Sequence, residues 1–314
     1  MKQQQFEKTH RETWEAIESS LEQENSARPV DHYLLLCQHV AIARQRRYDL
    51  SLSDRLNELA TRMYRTLSRK TARTRFNPAR FVVREFPVSL YRHRWYFALA
   101  CAVFLVPLLL SGYWAYLDEG VIYSVVEGFQ VRSMEAMYDP SSDHIGQPRE
   151  AESDIFMFGY YIKNNIGIAF DSFAGGLLLG VGSLAVLAFN GLYIGMIAGH
   201  LTRIGFGETF YPFVSGHGSF ELTAIVLSGA AGLKLGFSLL LPGALSRTDA
   251  LRQAGRESVP MLYGITAMLL IAAVIEAFWS SSTAVPASTK YAMGAVGWAL
   301  VLLYIAWSLR RGPR

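Results

Sequence analysis

The stretch 216–236, GHGSFELTAIVLSGAAGLKLG, decides how this chain is read. From Leu222 to Leu233 it is a run of apolar and small residues, the composition of a helix surrounded by lipid or protein. Yet it opens with His217 and Glu221, four positions apart, and carries Lys234 near its end. Four residues is about one helical turn, so His217 and Glu221 share a face. Lys234 lies about 20 Å further along the axis than Glu221, so it is expected to snorkel or to find another partner. The His217–Glu221 pair reads first as a structural polar lock at the start of this helix and second as a functional polar site, since ionisable groups at membrane depth default to functional candidates.

Working outward, the 314 residues are 51% hydrophobic and 18% charged, and the charges are segregated. Residues 1–94 hold 18 Lys and Arg against 11 Asp and Glu, whereas 95–117 hold no charge at all. Residues 118–154 hold nine acidic residues against two basic ones. The uncharged segment, WYFALACAVFLVPLLLSGYWAYL, is long enough to cross a ~30 Å hydrocarbon core and is flanked by Trp95, Tyr96, Tyr113, Trp114 and Tyr116. Further spans are expected at about 172–199, 220–242, 259–279 and 290–308. The fold class is therefore all-α: a polytopic helical membrane protein with about five clear transmembrane helices, preceded by a basic helical domain over 1–94. The acidic segment 118–154 reads as an external loop with an amphipathic helix, and 155–314 as the multi-helix membrane domain.

Basic residues before the first span place the N-terminal domain in the cytoplasm and suit anionic lipid headgroups. The N-terminus lacks the apolar core of a secretory signal, which agrees. The basic tract contains no nucleic-acid reading motif, so no nucleic-acid partner is expected. Five crossings from that side would leave Arg247, Arg252, Arg256, Arg310, Arg311 and Arg314 outside, against the positive-inside rule. An extra crossing through FGYYIKNNIGIAFDSF would repair this, but Lys163, Asn164 and Asn165 sit in its middle. That segment is either an interfacial elbow or a crossing sheltered by protein.

In the N-terminal domain, Phe6, Trp14, Ile17 and Leu21 recur at helical spacing. So do Leu35, His39 and Ile42, and then Leu52, Leu56, Leu59, Met63 and Leu67. A small helical bundle follows from these stripes. In the second span, Gly176 and Gly180, then Gly191, Gly195 and Gly199, repeat every four residues, and Ser228, Gly232 and Gly236 do so in the third. Small residues at this spacing let backbones approach, so the two spans are expected to pack tightly; the same faces would also serve a homodimer. Asn190 needs a partner across helices or in a polar cavity. Glu276, at the end of the fourth span, is a further polar candidate.

His217 and Glu221 alone do not make a metal site, and no H-E-x-x-H pattern occurs. Gly216 and Gly218 suggest a tight turn or a close backbone approach beside the histidine. Cys37 and Cys101 are too far apart in setting for a disulfide or a cysteine metal site. Neither a phosphate-binding loop nor a nucleophile elbow occurs, so no cofactor and no enzymatic activity are expected.

The succession NNIGIAF, GGLLLGVGSLAVLAFNGLYIG, GHGSFELTAIVLSGAAGLKLG, SRTDALRQAGR and IEAFWSS resembles the stage II sporulation protein M family over about 155–285. LNELATRMYR and REFPVSLYR are similar to its N-terminally extended bacterial branch. Where the family often has proline before the histidine, this chain has Gly216. The resemblance implies a polytopic protein of the cytoplasmic membrane. It also implies partners: cell-wall hydrolases, RDD-type membrane proteins and MoxR-type ATPases, besides the membrane lipids. The leading expectation is a non-enzymatic scaffold that assembles envelope or cell-wall remodelling factors. The rival is a transporter or permease subunit with Asn190, His217, Glu221 and Glu276 along a polar path; a metal-dependent intramembrane enzyme comes third.

Overall fold

The computed structural model describes residues 2–22, 29–72, 77–141, 153–282 and 284–310, with no strand among them. Arg73, Arg75, Asp143, Arg149, Glu150, Glu152, Arg311 and Arg314, which entered the charge argument, lie outside the described residues. The chain divides into two compact units, Met1–Asn77 and Pro78–Arg314.

The first unit packs α1 (Gln3–Glu22), α2 (Pro29–Gln45) and α3 (Leu50–Ala72) around Phe6, Trp14, Ile17, Leu56, Leu59 and Met63. The first stripe and Leu52, Leu56, Leu59 and Met63 of the third form the core, the Leu67 side chain lying outside the described residues; the second stripe contributes His39, with Ile42 packed against the core. The α2 core face is Leu36, His39, Val40 and Ala43, with Leu35 and Ile42 only partly covered. Neighbouring apolar residues at 34–36 leave the phase of α2 open in the sequence. A buried hydrogen bond between Trp14 Nε1 and His39 Nδ1, 2.9 Å, ties this face to α1.

The second unit begins earlier than residue 95. One helical turn, α4 (Pro78–Arg80), a π-helical turn (Phe81–Glu85) and α5 (Phe86–Arg92) precede α6 (Arg94–Leu117). Phe81, Phe86 and Leu90 are buried against Met261, Ile265 and Leu269, so the basic domain ends at 77 rather than 94. The reason is apolar: FVVREFPVSLYR carries aromatic and aliphatic side chains that a solvated linker would leave exposed.

After α6 come a 3₁₀ turn (Val121–Ser124), α7 (Gly128–Tyr138), α8 (Ser153–Ala174), α9 (Val181–Arg203), α10 (Gly207–Leu240), α11 (Arg247–Ile275) and α12 (Ala287–Arg310). Among the described residues, five helices are long and apolar enough to cross a membrane: α6, α9, α10, α11 with its terminal turn, and α12. The α10 helix is the axis of the bundle: 72% of its apolar window is buried inside the protein, against 17–39% for the other four.

Close contacts fix the directions. Gly191, Gly195 and Gly199 of α9 meet Phe104, Leu108 and Gly112 of α6 in ascending order, so α6 and α9 run parallel. Two successive strokes in one direction require a return between them, and α8 supplies it. Its Ala169 and Ser172 meet Ser228 and Gly232, so α8 runs parallel to α10. The apolar span expected at 172–199 is therefore a hairpin: the end of α8, a turn at 175–180, and α9. Leu179 and Gly180 take positive φ in that turn, 57° and 87°, which glycine adopts freely. The KNN segment lies inside α8, a continuous helix packed along α10. Asn165 is buried while Lys163 and Asn164 stay exposed, so one amide faces protein and the lysine can reach outward along the helix.

The glycine faces are shared between two neighbours. Gly176 and Gly180 meet Gly232 and Gly236 of α10, as the spacing predicts. Gly191, Gly195 and Gly199 pack on α6 instead of α10. All these faces are filled within one chain, so a homodimer would have to use another surface.

Candidate functional site

The site is built where α10, the end of α11 and α8 converge. His217 and Glu221 project from one face of α10, with Nε2 and Oε2 3.8 Å apart. The α11 helix ends in a π-helical turn, Glu276–Ser280, which widens the backbone by one residue per turn. That turn brings Glu276 and Ser280 to the same place, and Ser280 Oγ lies 3.1 Å from His217 Nδ1. His217, Glu221 and Glu276 each offer a ligand atom, all within 4.8 Å of one another. His217 is 5% exposed and Glu276 9%. From α8, Asn165 faces Glu276, although its Nδ2 and the Oε2 of Glu276 complete no hydrogen bond.

These groups line a cavity of about 770 Å³ whose walls are otherwise largely apolar, among them Leu108, Ile194, Phe210, Phe213 and Trp298. Helix α7 closes one side with Met134 and Tyr138. It is held there by edge-on contacts of Tyr138 with Phe210 and Phe213, at 5.1 and 5.6 Å, and by a 2.7 Å contact of Glu135 with His200. The amphipathic helix expected in the acidic segment is thus part of the cavity wall rather than a free loop. Burial pushes the Tyr138 phenol well above its usual range, and the Glu276 carboxylate adds to it.

Lys290 of α12 is also buried, and it donates from Nζ to the Ser280 carbonyl at 2.7 Å. Its own carbonyl accepts from Ser215 Oγ at 3.1 Å. Gly216 does not form a turn: α10 runs straight through it and Gly218. A side chain at Gly216 would strike the Trp279 ring at 2.7 Å, so the close-approach reading holds there. Gly218 borders the cavity and a Cβ there would meet nothing within 4 Å.

The fold brings three of the four sequence candidates together and removes the fourth. Asn190 does not line the cavity; its amide donates to the Val186 carbonyl of its own helix at 2.8 Å. A half-buried amide can be satisfied one turn back without any partner helix. Lys234 does find a partner, Glu257 of α11, at 2.5 Å. Sequence reading missed Ser280, Lys290 and the His200–Glu135 contact. A lysine beside apolar residues at the start of the last span was the available signal for Lys290.

Five membrane-length apolar helices among the described residues, with α8 packed among them around a largely apolar cavity that carries a buried polar cluster, define a polytopic helical membrane protein. The family model for stage II sporulation protein M matches residues 100–281, and the chain belongs to that family. The match runs from within α6 to the π turn after α11, so it contains His217, Glu221 and Glu276 and begins upstream of residue 155. Residues 4–69 match a domain of unknown function, DUF8413, which makes this an N-terminally extended member. Among curated proteins, the uncharacterized protein MJ0793 of Methanocaldococcus jannaschii is 28% identical over 87 residues. That alignment covers 27% of this chain and 49% of the relative, so the chain spans about half the length of the curated protein it matches. No solved structure matches the chain.

Proposed function

We propose that the protein is a non-enzymatic permease-type component of the cytoplasmic membrane, whose cavity admits a small cation or proton. One observation carries this reading: a cavity of about 770 Å³ into which His217, Glu221 and Glu276 converge from two helices. A protein that only assembles others needs no such chamber, and ionisable groups buried at membrane depth are costly to keep. Charge supports the orientation. With α8 counted as a crossing, the α10–α11 connection bearing Arg247, and the end of α12 at Arg310, share the side of the basic N-terminal residues.

The test is ion flux through purified full-length protein in liposomes. Gly218→Leu adds bulk to the chamber at a position where a Cβ meets nothing within 4 Å, and is expected to block flux with the fold intact. Glu276→Gln is expected to do the same. Flux no greater than in empty liposomes, over protons and mono- and divalent cations, would sink the permease reading.

The scaffold reading stands second, and the separate three-helix unit Met1–Asn77 favours it as a docking module. Its partners would be RDD-type membrane proteins, MoxR-type ATPases or cell-wall hydrolases. Under this reading, deletion of residues 1–77 abolishes partner co-purification from native membranes and leaves the bundle folded. Unchanged co-purification would remove it.

A further inference from the structure

We infer that His217, Glu221 and Glu276 form a binding site for a first-row divalent transition cation of the zinc or manganese class. The inference rests on the permease reading only in that the chamber is the route to the site. Three arguments support it.

The first is geometry. Metal–ligand bonds near 2.1 Å place tetrahedral donors about 3.4 Å apart. The Nε2–Oε2 separation of 3.8 Å and the 4.8 Å limit for the whole set need only small side-chain rotations to reach that. The same 3.8 Å is too long for a hydrogen bond, so these groups do not lock one another as a purely structural cluster would.

The second is satisfaction. Glu276 is nine-tenths buried, and its Oε2 has no hydrogen-bond partner although it belongs to the cluster. Ser280 engages His217 at Nδ1, which leaves Nε2 for the cluster. Metal-binding histidines are oriented in this way, by a partner on the other ring nitrogen.

The third is charge. Two carboxylates converge beside an imidazole, and the buried Lys290 donates to the Ser280 backbone carbonyl. A divalent cation held by both carboxylates would compensate their charge where the apolar walls cannot. One nitrogen and two carboxylate oxygens suit borderline metals. They do not suit the all-oxygen chemistry of magnesium and calcium, nor the thiolate sites of copper(I). Three protein ligands leave a fourth position open on the chamber, the pattern of an exchangeable site rather than a closed structural one.

The experiment is equilibrium binding of Zn²⁺, Mn²⁺ and Co²⁺ to the full chain in detergent, with Co²⁺ read by its visible absorption. Binding of one ion per chain is expected. His217→Ala and Glu276→Gln should each weaken it at least tenfold, with far-UV circular dichroism and elution volume unchanged, and Asn190→Ala should not weaken it. Folded wild-type protein that binds no stoichiometric metal overturns the inference, as does binding indifferent to both substitutions. Metal bound without any ion flux supports the site and removes the permease reading alone. Flux that survives chelation, in protein that binds no metal, removes the site alone.

Discussion

Gly195→Ala tests whether the glycine faces carry the bundle. A Cβ at this position would lie 2.9 Å from the Leu108 carbonyl carbon and closer still to the Leu108 oxygen and Ser111 Oγ. Carbon contacts settle near 3.5–4.0 Å, so α6 and α9 must part by about 1 Å along this stretch. Overpacking of this kind costs about 1–3 kcal/mol. The shift also pulls Ser111 Oγ from the Leu192 carbonyl, a 2.9 Å hydrogen bond, which adds about 1 kcal/mol. The sum, about 2–4 kcal/mol, corresponds to a fall of roughly 4–15 °C in Tm for a unit of this size. The control is Gly167→Ala in α8, where a Cβ would meet nothing within 4 Å. There alanine's better helix propensity should leave stability unchanged or raise it by up to about 1 kcal/mol. Thermal unfolding in one detergent, followed by near-UV circular dichroism, compares the two. Equal Tm values for both variants would refute the argument that backbone proximity, rather than helix propensity, explains the glycines.

Three further outcomes are expected. Asn190→Ala should change stability by less than about 1 kcal/mol, because it gives up only a bond to its own helix; a larger loss in the same melting assay would reveal a cross-helix role. The first unit should lose stability as pH falls below the ordinary histidine value. Burial, and then His10, hold the His39 imidazole below its usual range, so from about 6.5 downward the unfolded chain binds the proton first. Hydrogen exchange of α1–α3 across pH 5–8 reads this, and His39→Gln should flatten the slope; an unchanged slope would put the dependence elsewhere. Reporter fusions at 141 and 205 should report one side of the membrane, and fusions at 243 and 310 the other. Any fusion breaking that pattern would show that α8 does not cross.

Much of the architecture was legible because it rests on local regularities. A charge-free run from Trp95 to Leu117 reads as a span in any context, and the Leu52–Leu56–Leu59–Met63 stripe has a single core-facing phase. Helix α2 has no such single phase: His39 is on its core face as its spacing predicts, while Leu36, Val40 and Ala43 rather than Leu35 complete that face. The crossing by α8 was legible only as an alternative, since the cost of the KNN segment depends on what surrounds Asn165.

By itself the sequence determined the fold class, the charge asymmetry, the membership of a recognisable family and the pairing of His217 with Glu221, all consequences of residue type and helical period. The tertiary structure alone decided which faces meet. A central helix such as α10 is covered on nearly all sides, so its apolar pattern carries no preferred direction. Register and rotation then come from neighbours distant in sequence. The π turn after α11 supplies Glu276 to a histidine 59 residues earlier, α6 rather than α10 receives Gly191, Gly195 and Gly199, and Asn190 is left outside the site. Those contacts turned a two-residue motif into a three-ligand chamber.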